Sequence, residues 1–183
     1  MQHEPPRLAL LLTRLAFIFC GGSVYRAFAD RLPLGGGEQV LDFGCGMGTV
    51  AYYAAKKLPQ GHLSCLDISE RWLCACRKTL RNDKNITFLH AEAPALPQAH
   101  FDVIYCHFVL HDIPDRELER VMPALVSALR SGGRLIFREP LDEAEKLGLI
   151  KGLAAQGGLS LQDSRVTDVP LMGNALESIY FKP

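Results

Sequence analysis

A chain of 183 residues, 48% of them apolar, suits one domain with a substantial core. Its 20 basic and 20 acidic residues cancel, so no global field favours nucleic acid, and no basic run supplies a local one. The six cysteines, Cys20, Cys45, Cys65, Cys74, Cys76 and Cys106, lack the C-x-x-C pairs of a zinc site; no metal is expected, and they read as reduced, buried thiols of a cytoplasmic protein.

Leu8, Leu11, Leu12, Leu15, Ile18 and Phe19 recur at helical spacing, with Arg7 and Arg14 along one edge. This amphipathic helix either covers the sheet, lies on a membrane surface, or pairs two copies of the chain. Arg14 interrupts the apolar run over residues 8–20, which falls short of the roughly 20 residues that span a bilayer, and Ile18-Phe19 ahead of Cys20 do not make a processing site. Gly21-Gly22 is expected to end or bend the helix. A second short helix follows over residues 24–32, then a connector over 33–37.

Residues 40–43 read as a buried parallel strand. Gly44, Gly46 and Gly48 come next at alternate positions, and residues 52–57 look helical. Strand, glycine turn and helix form a cradle in which backbone N–H groups can approach a ligand. A dinucleotide fingerprint would need a third glycine where Thr49 stands, so that fingerprint fails. Residues 62–67 form a second strand ending in Asp67, roughly 20 residues beyond the glycines, where an α/β unit presents a carboxylate to ribose; capping of the next helix, over residues 69–82, is the competing role for Asp67.

Trp72 lies in the first turn of that helix. Cys74 and Cys76, two residues apart, point in different directions on it. A third strand over residues 85–90 leads into Ala91-Glu92-Ala93, and Pro94 and Pro97 exclude a regular helix before the fourth strand at 101–106. That strand runs into a loop carrying His107 and His111. An amphipathic helix over 114–129, a turn at Ser131-Gly132-Gly133, a strand over 134–138, a helix over 142–155 and strands over 159–166 and 176–181 complete the chain. Alternating strands and helices predict a doubly wound, mostly parallel α/β sheet.

As a set, Asp42-x-Gly44-x-Gly46-x-Gly48, Asp67, Glu92 and Leu129-Arg130-Ser131-Gly132-Gly133 resemble the class I S-adenosylmethionine-dependent methyltransferases. The resemblance covers residues 38–183, with Ser131 where the family usually has proline. It implies a Rossmann-like sheet of seven strands, the last antiparallel, in a single domain of residues 1–183 with a helical cap at 1–37 and a cofactor-binding core at 38–183. It also implies S-adenosylmethionine as cofactor. Asp42, Phe43, Gly44, Cys45, Gly46 and Gly48 would then form the cradle, and Asp67 and Ile68 would meet the ribose. Trp72 would cover the adenine or serve as plain core, Ala91, Glu92 and Ala93 would contact the adenine edge, and His107 would reach the cofactor from the fourth strand. His111 and His107 are the candidate bases, though cofactor contact or backbone hydrogen bonding would also account for either.

Cys106-His107-Phe108-Val109 stands where the Asn-Pro-Pro-Tyr-like tetrad of exocyclic-amine methylation would be, and no Pro-Cys pair occurs. Nucleobase methylation therefore loses support. The expected activity is methyl transfer to a small-molecule acceptor, with peripheral membrane contact or a homodimer through the first helix as further partners. The alternatives are a macromolecular or membrane-associated acceptor, or a binding module without turnover.

Overall fold

Strands buried along nearly their whole length need cover on both faces, and the first two strands are of this kind: four of five residues of Gln39–Phe43 (β1) and five of six of His62–Asp67 (β2) are buried. In the computed structural model, which describes residues 4–91, 96–170 and 172–183, the chain divides into two units, residues 1–91 and 92–183.

In the first unit β1, β2 and Ile86–His90 (β3) pair in parallel in the order β3-β2-β1, with Phe43 opposite Leu66 and Asp67 opposite His90. The carboxyl ends of β1 and β2 are thereby level. Helix Glu70–Thr79 (here α4) packs on β2 and β3 and buries Leu73 and Cys76. The helix after the glycines is short, Ala51–Ala54 (α3), and tightens into a 3₁₀ turn at Ala55–Lys57.

The N-terminal helix does not stop at Gly21-Gly22. Arg7–Gly21 (α1) passes through a π-helical turn, Gly22–Arg26, into Ala27–Ala29 (α2), one helical run of 23 residues. Gly22 keeps helical angles, φ −67° and ψ −43°, and the wider turn absorbs the irregularity without breaking the run. Gly21 serves packing, since a Cβ there would lie 3.0 Å from Tyr53 Oη. Phe17 meets the rings of Tyr25, Tyr52 and Tyr53 at 6.0, 5.4 and 6.1 Å between centroids, and Val24, Tyr25, Phe28 and Ala29 are buried.

The second unit orders its strands β4-β5-β7-β6. Phe101–His107 (β4) and Leu129–Pro140 (β5) are parallel; Gly173–Phe181 (β7) is antiparallel to β5, and Ser160–Val169 (β6) is antiparallel to β7. Asp115–Ala128 (α5) packs on β5 and on Ala144–Gln156 (α6). The turn expected at 131–133 lies inside β5: the register jumps from Phe101↔Leu129 to Val103↔Arg134, and the excess residues bulge out, tied down by Gly132 N–H to Lys182 O at 2.8 Å. The seven strands form a mostly parallel sheet of the Rossmann-like α/β class, with β7 reversed.

Arg138 on β5 and Glu177 on β7 are 1% and 2% exposed. Arg138 Nε donates to Glu177 Oε1 at 2.8 Å, its Nη2 donates to the same oxygen, and Arg165 Nε reaches Oε2 at 2.8 Å. Burial alone would push the Glu177 carboxyl up, but these two guanidiniums hold it below its ordinary value. Glu177→Leu would leave Arg138 buried without this counter-charge, so urea denaturation should show a loss of about 3–5 kcal/mol. Arg138→Met/Glu177→Leu should lose less than half of that. Equal losses would show that the pair contributes only packing.

Candidate active site

The glycine turn is fixed at the level carboxyl ends of β1 and β2. The N–H groups of Gly44 and Cys45 both donate to Leu66 O, at 2.9 and 2.9 Å. Gly46 N–H donates to Asp67 Oδ2 at 2.8 Å, and Ser69 N–H to Asp67 Oδ1 at 2.9 Å. One carboxylate thus holds the turn after β1 and the start of α4. The helix cap itself is Ser69, whose Oγ accepts from Trp72 N–H at 3.1 Å. Asp67 is 7% exposed; burial raises its pKa above the ordinary carboxylate value despite the two backbone N–H groups that oppose the shift.

The glycines divide the work. Gly46, at φ +52°, adopts a left-handed conformation, and a Cβ there would meet nothing within 4 Å, so its outer face is open. Gly48, at φ +78°, faces inward, where a Cβ would lie 2.7 Å from Cys76 Sγ. Asp42, Phe43 and Cys45 are buried, Ile68 is exposed and Trp72 is half-buried. Ile68 O is 2.9 Å from His90 Nε2 at the end of β3, and Ala91 follows half-buried. Glu92 and Ala93 lie outside the described residues.

Two features of this unit escaped the sequence reading. Glu4 Oε2 accepts from Ser69 Oγ at 3.0 Å and Glu4 Oε1 from Glu70 N–H at 3.1 Å, placing an acid at the start of α4 beside Asp67, where its charge also raises the Asp67 pKa. Cys45, Cys65 and Cys76 come together with their sulfurs within 4.8 Å of one another. The three arrive from a turn, a strand and a helix, so a search for C-x-x-C spacing could not find them. Three sulfurs fall one short of the four ligands of a structural zinc site, and this set would suit a soft, three-coordinate ion.

In the second unit the chain turns sharply after β4. Phe108, at φ +55°, donates its N–H to Arg138 O at 2.8 Å. Glu139 on β5, fully buried, then gathers the next three N–H groups: Val109 and Leu110 reach Oε1 at 3.2 and 2.9 Å, and His111 reaches Oε2 at 3.3 Å. The same Oε2 accepts from His111 Nδ1 at 2.6 Å. That contact places the proton of neutral His111 on Nδ1 and leaves the lone pair on Nε2, which lies 3.5 Å from Asp112 Oδ1. Glu139 had no signal of its own in the sequence, only its place at the exit of the fifth strand.

The two histidines are driven apart. Burial pulls the His111 pKa down, but the hydrogen bond and charge of Glu139, helped by Asp112, leave it above the ordinary value. His107 keeps some accessible surface, yet burial and the neighbouring Arg138 guanidinium, 3.3 Å from its Nε2, hold it well below. His107 is therefore neutral near pH 7, with Nε2 facing Arg138.

The sequence profile of the methyltransferase-domain family matches residues 40–133, just over half of the chain. The chain belongs to this family and is a class I S-adenosylmethionine-dependent methyltransferase domain. It is 33% identical over 113 residues to aklanonic acid methyltransferase DauC of Streptomyces sp. (strain C5), covering 59% of this chain and 50% of that one. To tRNA N(3)-methylcytidine methyltransferase trm141 of Schizosaccharomyces pombe it is 29% identical over 125 residues, covering 64% and 49%. The chain thus spans about half the length of these curated relatives. Among solved structures, magnesium protoporphyrin IX methyltransferase (ChlM) of Synechocystis PCC 6803 with bound S-adenosylmethionine shares the fold, with a TM-score of 0.71 at 21% identity over 93% of this chain and 82% of that one.

The Glu139 contact has a consequence for pH. With its folded pKa raised, His111 contributes stability that is complete below the unfolded value of about 6.5 and is lost as pH rises through the folded value. NMR titration should show the His111 ring titrating above about 6.5, and Glu139→Gln should bring the midpoint down. An unmoved midpoint would show that Glu139 does not set the shift.

Proposed function

We propose that this chain transfers the methyl group of S-adenosylmethionine to a small-molecule acceptor. The observation that carries the reading is the corner formed by Gly46 and Asp67: an open, left-handed glycine beside a nearly buried carboxylate at the carboxyl ends of parallel strands. These residues fit the cofactor. Each Asp67 oxygen accepts one backbone N–H and retains a lone pair for a ribose hydroxyl, and with no atom within 4 Å of a Cβ on Gly46 the backbone there is open to a ligand.

Gly44, Cys45, Gly46 and Gly48 shape the cradle, with Asp42 and Phe43 supporting it from β1. Asp67 and Ile68 take the ribose, and Trp72 and Ala91 flank the base. S-adenosylmethionine supplies a sulfonium-activated methyl group, so the protein's part is positioning, water exclusion and, for a protic acceptor, a base.

His111 suits that last role better than His107. Its Nε2 is free of Glu139, the Nδ1 contact fixes the ring, and Glu139 is its positioning residue. His107 has a depressed pKa and faces a guanidinium. A small acceptor accords with DauC, whose name gives aklanonic acid. The tRNA relative points the other way, but a chain with 20 basic and 20 acidic residues has no net charge to offset a polyanion.

Asp67→Ala should weaken S-adenosylmethionine binding by about 1.5–3 kcal/mol in calorimetry, with folding retained. Intact affinity in a destabilised variant would assign Asp67 to structure alone. Incubation of a metabolite extract with methyl-labelled S-adenosylmethionine should give a small molecule heavier by one labelled methyl group. Label found only in RNA would select the macromolecular reading.

A further inference from the structure

Helix α1 has two opposite apolar faces, and the fold uses one. Phe17 and Gly21 face the tyrosines of the first unit. Around the other side Leu8, Leu11, Leu12, Leu15, Ile18 and Phe19 stand 63, 53, 56, 41, 62 and 79% exposed. At 100° per residue these six fall within an arc of roughly 120°, and Arg7 and Arg14, both exposed, run along one edge of it. No acidic residue occurs between Glu4 and Asp30. A contiguous apolar strip of this kind on a surface marks an interaction site.

We propose that α1 lies flat on an anionic bilayer surface and that the acceptor methylated at the neighbouring cradle is an amphiphile dissolved in that bilayer. The acceptor half of this inference rests on the methyltransferase reading above; the docking half does not. An interfacial helix buries its apolar face at the boundary between headgroups and acyl chains while flanking arginines extend to the lipid phosphates. The strip on α1, arginine-edged and free of acids, has that composition.

Other occupants fit less well. A helix of 15 residues is about 22 Å long and about 10 Å wide, so its free face offers a few hundred Å². A stable dimer buries about 800 Å² on each partner. The 23-residue run Arg7–Ala29 is long and apolar enough to cross a membrane by length and composition. However, Val24, Tyr25, Phe28 and Ala29 are buried, and Phe17 packs against Tyr52 and Tyr53. The carboxyl end of the run is therefore held by protein, and residues 7–20, none of them buried, are fewer than the roughly 20 that span a bilayer, which suits lying on its surface.

Docking would also bring the cradle to the membrane. Tyr52 and Tyr53, under Phe17, belong to the chain just after the glycine turn, and Glu4, three residues before α1, binds the start of α4 beside Asp67. Both ends of α1 are thus tied to residues that shape the donor corner. An acceptor leaving the bilayer beside α1 would have a short path to it.

Co-sedimentation with vesicles of phosphatidylglycerol and phosphatidylcholine tests the docking half. The chain should pellet with them, less so with phosphatidylcholine alone or in high salt. Leu12→Glu/Phe19→Glu should reduce partitioning at least tenfold while leaving the thermal melt and S-adenosylmethionine affinity unchanged. Vesicle binding that ignores the double substitution, no vesicle binding, or a dimer that the substitution dissolves would each overturn the docking proposal.

Methyl-labelled S-adenosylmethionine with a total lipid extract in the same vesicles tests the acceptor half, where label should enter the lipid fraction. Label confined to water-soluble molecules would overturn that half while leaving methyl transfer intact. Failure to bind S-adenosylmethionine would sink the methyltransferase reading, and the acceptor half with it, whatever the vesicles show.

Discussion

The corner at the carboxyl ends of β1 and β2 depends on one carboxylate. Asp67 closes β2, and its two oxygens hold the N–H of Gly46, from the turn after β1, and the N–H of Ser69, which caps α4. A turn with three glycines is an entropic liability, since glycine gives up more conformational freedom on folding than any other residue. Two N–H groups from Gly44 and Cys45 on one carbonyl, and a third on Asp67, restrict that freedom with bonds mostly shielded from water. Burial raises the cost of the Asp67 charge, and the backbone N–H groups return part of it.

The second unit repeats the device with a longer side chain. Glu139, near the end of β5, collects the N–H groups of Val109, Leu110 and His111 from the turn after the neighbouring parallel strand β4. Phe108 sits at φ +55°, a conformation that costs of order 1–2 kcal/mol for a residue with a Cβ. Three N–H groups on a buried acid can offset such strain, and the fourth contact, to His111 Nδ1, orients an imidazole as a by-product of holding the loop. In both units an acid at the carboxyl end of a strand fixes the turn beside it, where ligands of open α/β sheets bind.

What could be read in the sequence was local. The alternate glycines, the acid closing the second strand and the alternation of strands with helices each declare themselves within a few residues, and they define the fold and the glycine turn held by Asp67. Partners distant along the chain left no such mark: Glu4 with Ser69, Glu139 with His111, Arg138 with Glu177, and the sulfurs of Cys45, Cys65 and Cys76 meet only once the sheet has ordered its strands. Gly21-Gly22 marked the point where α1 gives way to the π-helical turn, but not an end of the helical run. Glycine only permits a helix to end, and here the packing of Phe17, Gly21 and Tyr25 against the tyrosines carried the helical run on to Ala29.

His107 and His111 are both imidazoles of one short segment, and no sequence rule distinguishes them. The fold does, through what each ring faces. Burial, and then Arg138, required by the sheet to satisfy buried Glu177, keep a proton off His107; Glu139, required to hold the loop, attracts one to His111. Groups whose surroundings push their pKa values apart are the usual mark of divided roles in proton chemistry. The division here falls out of burial, two structural acids and one structural arginine, so a change confined to Arg138 should act on His107 and one confined to Glu139 on His111.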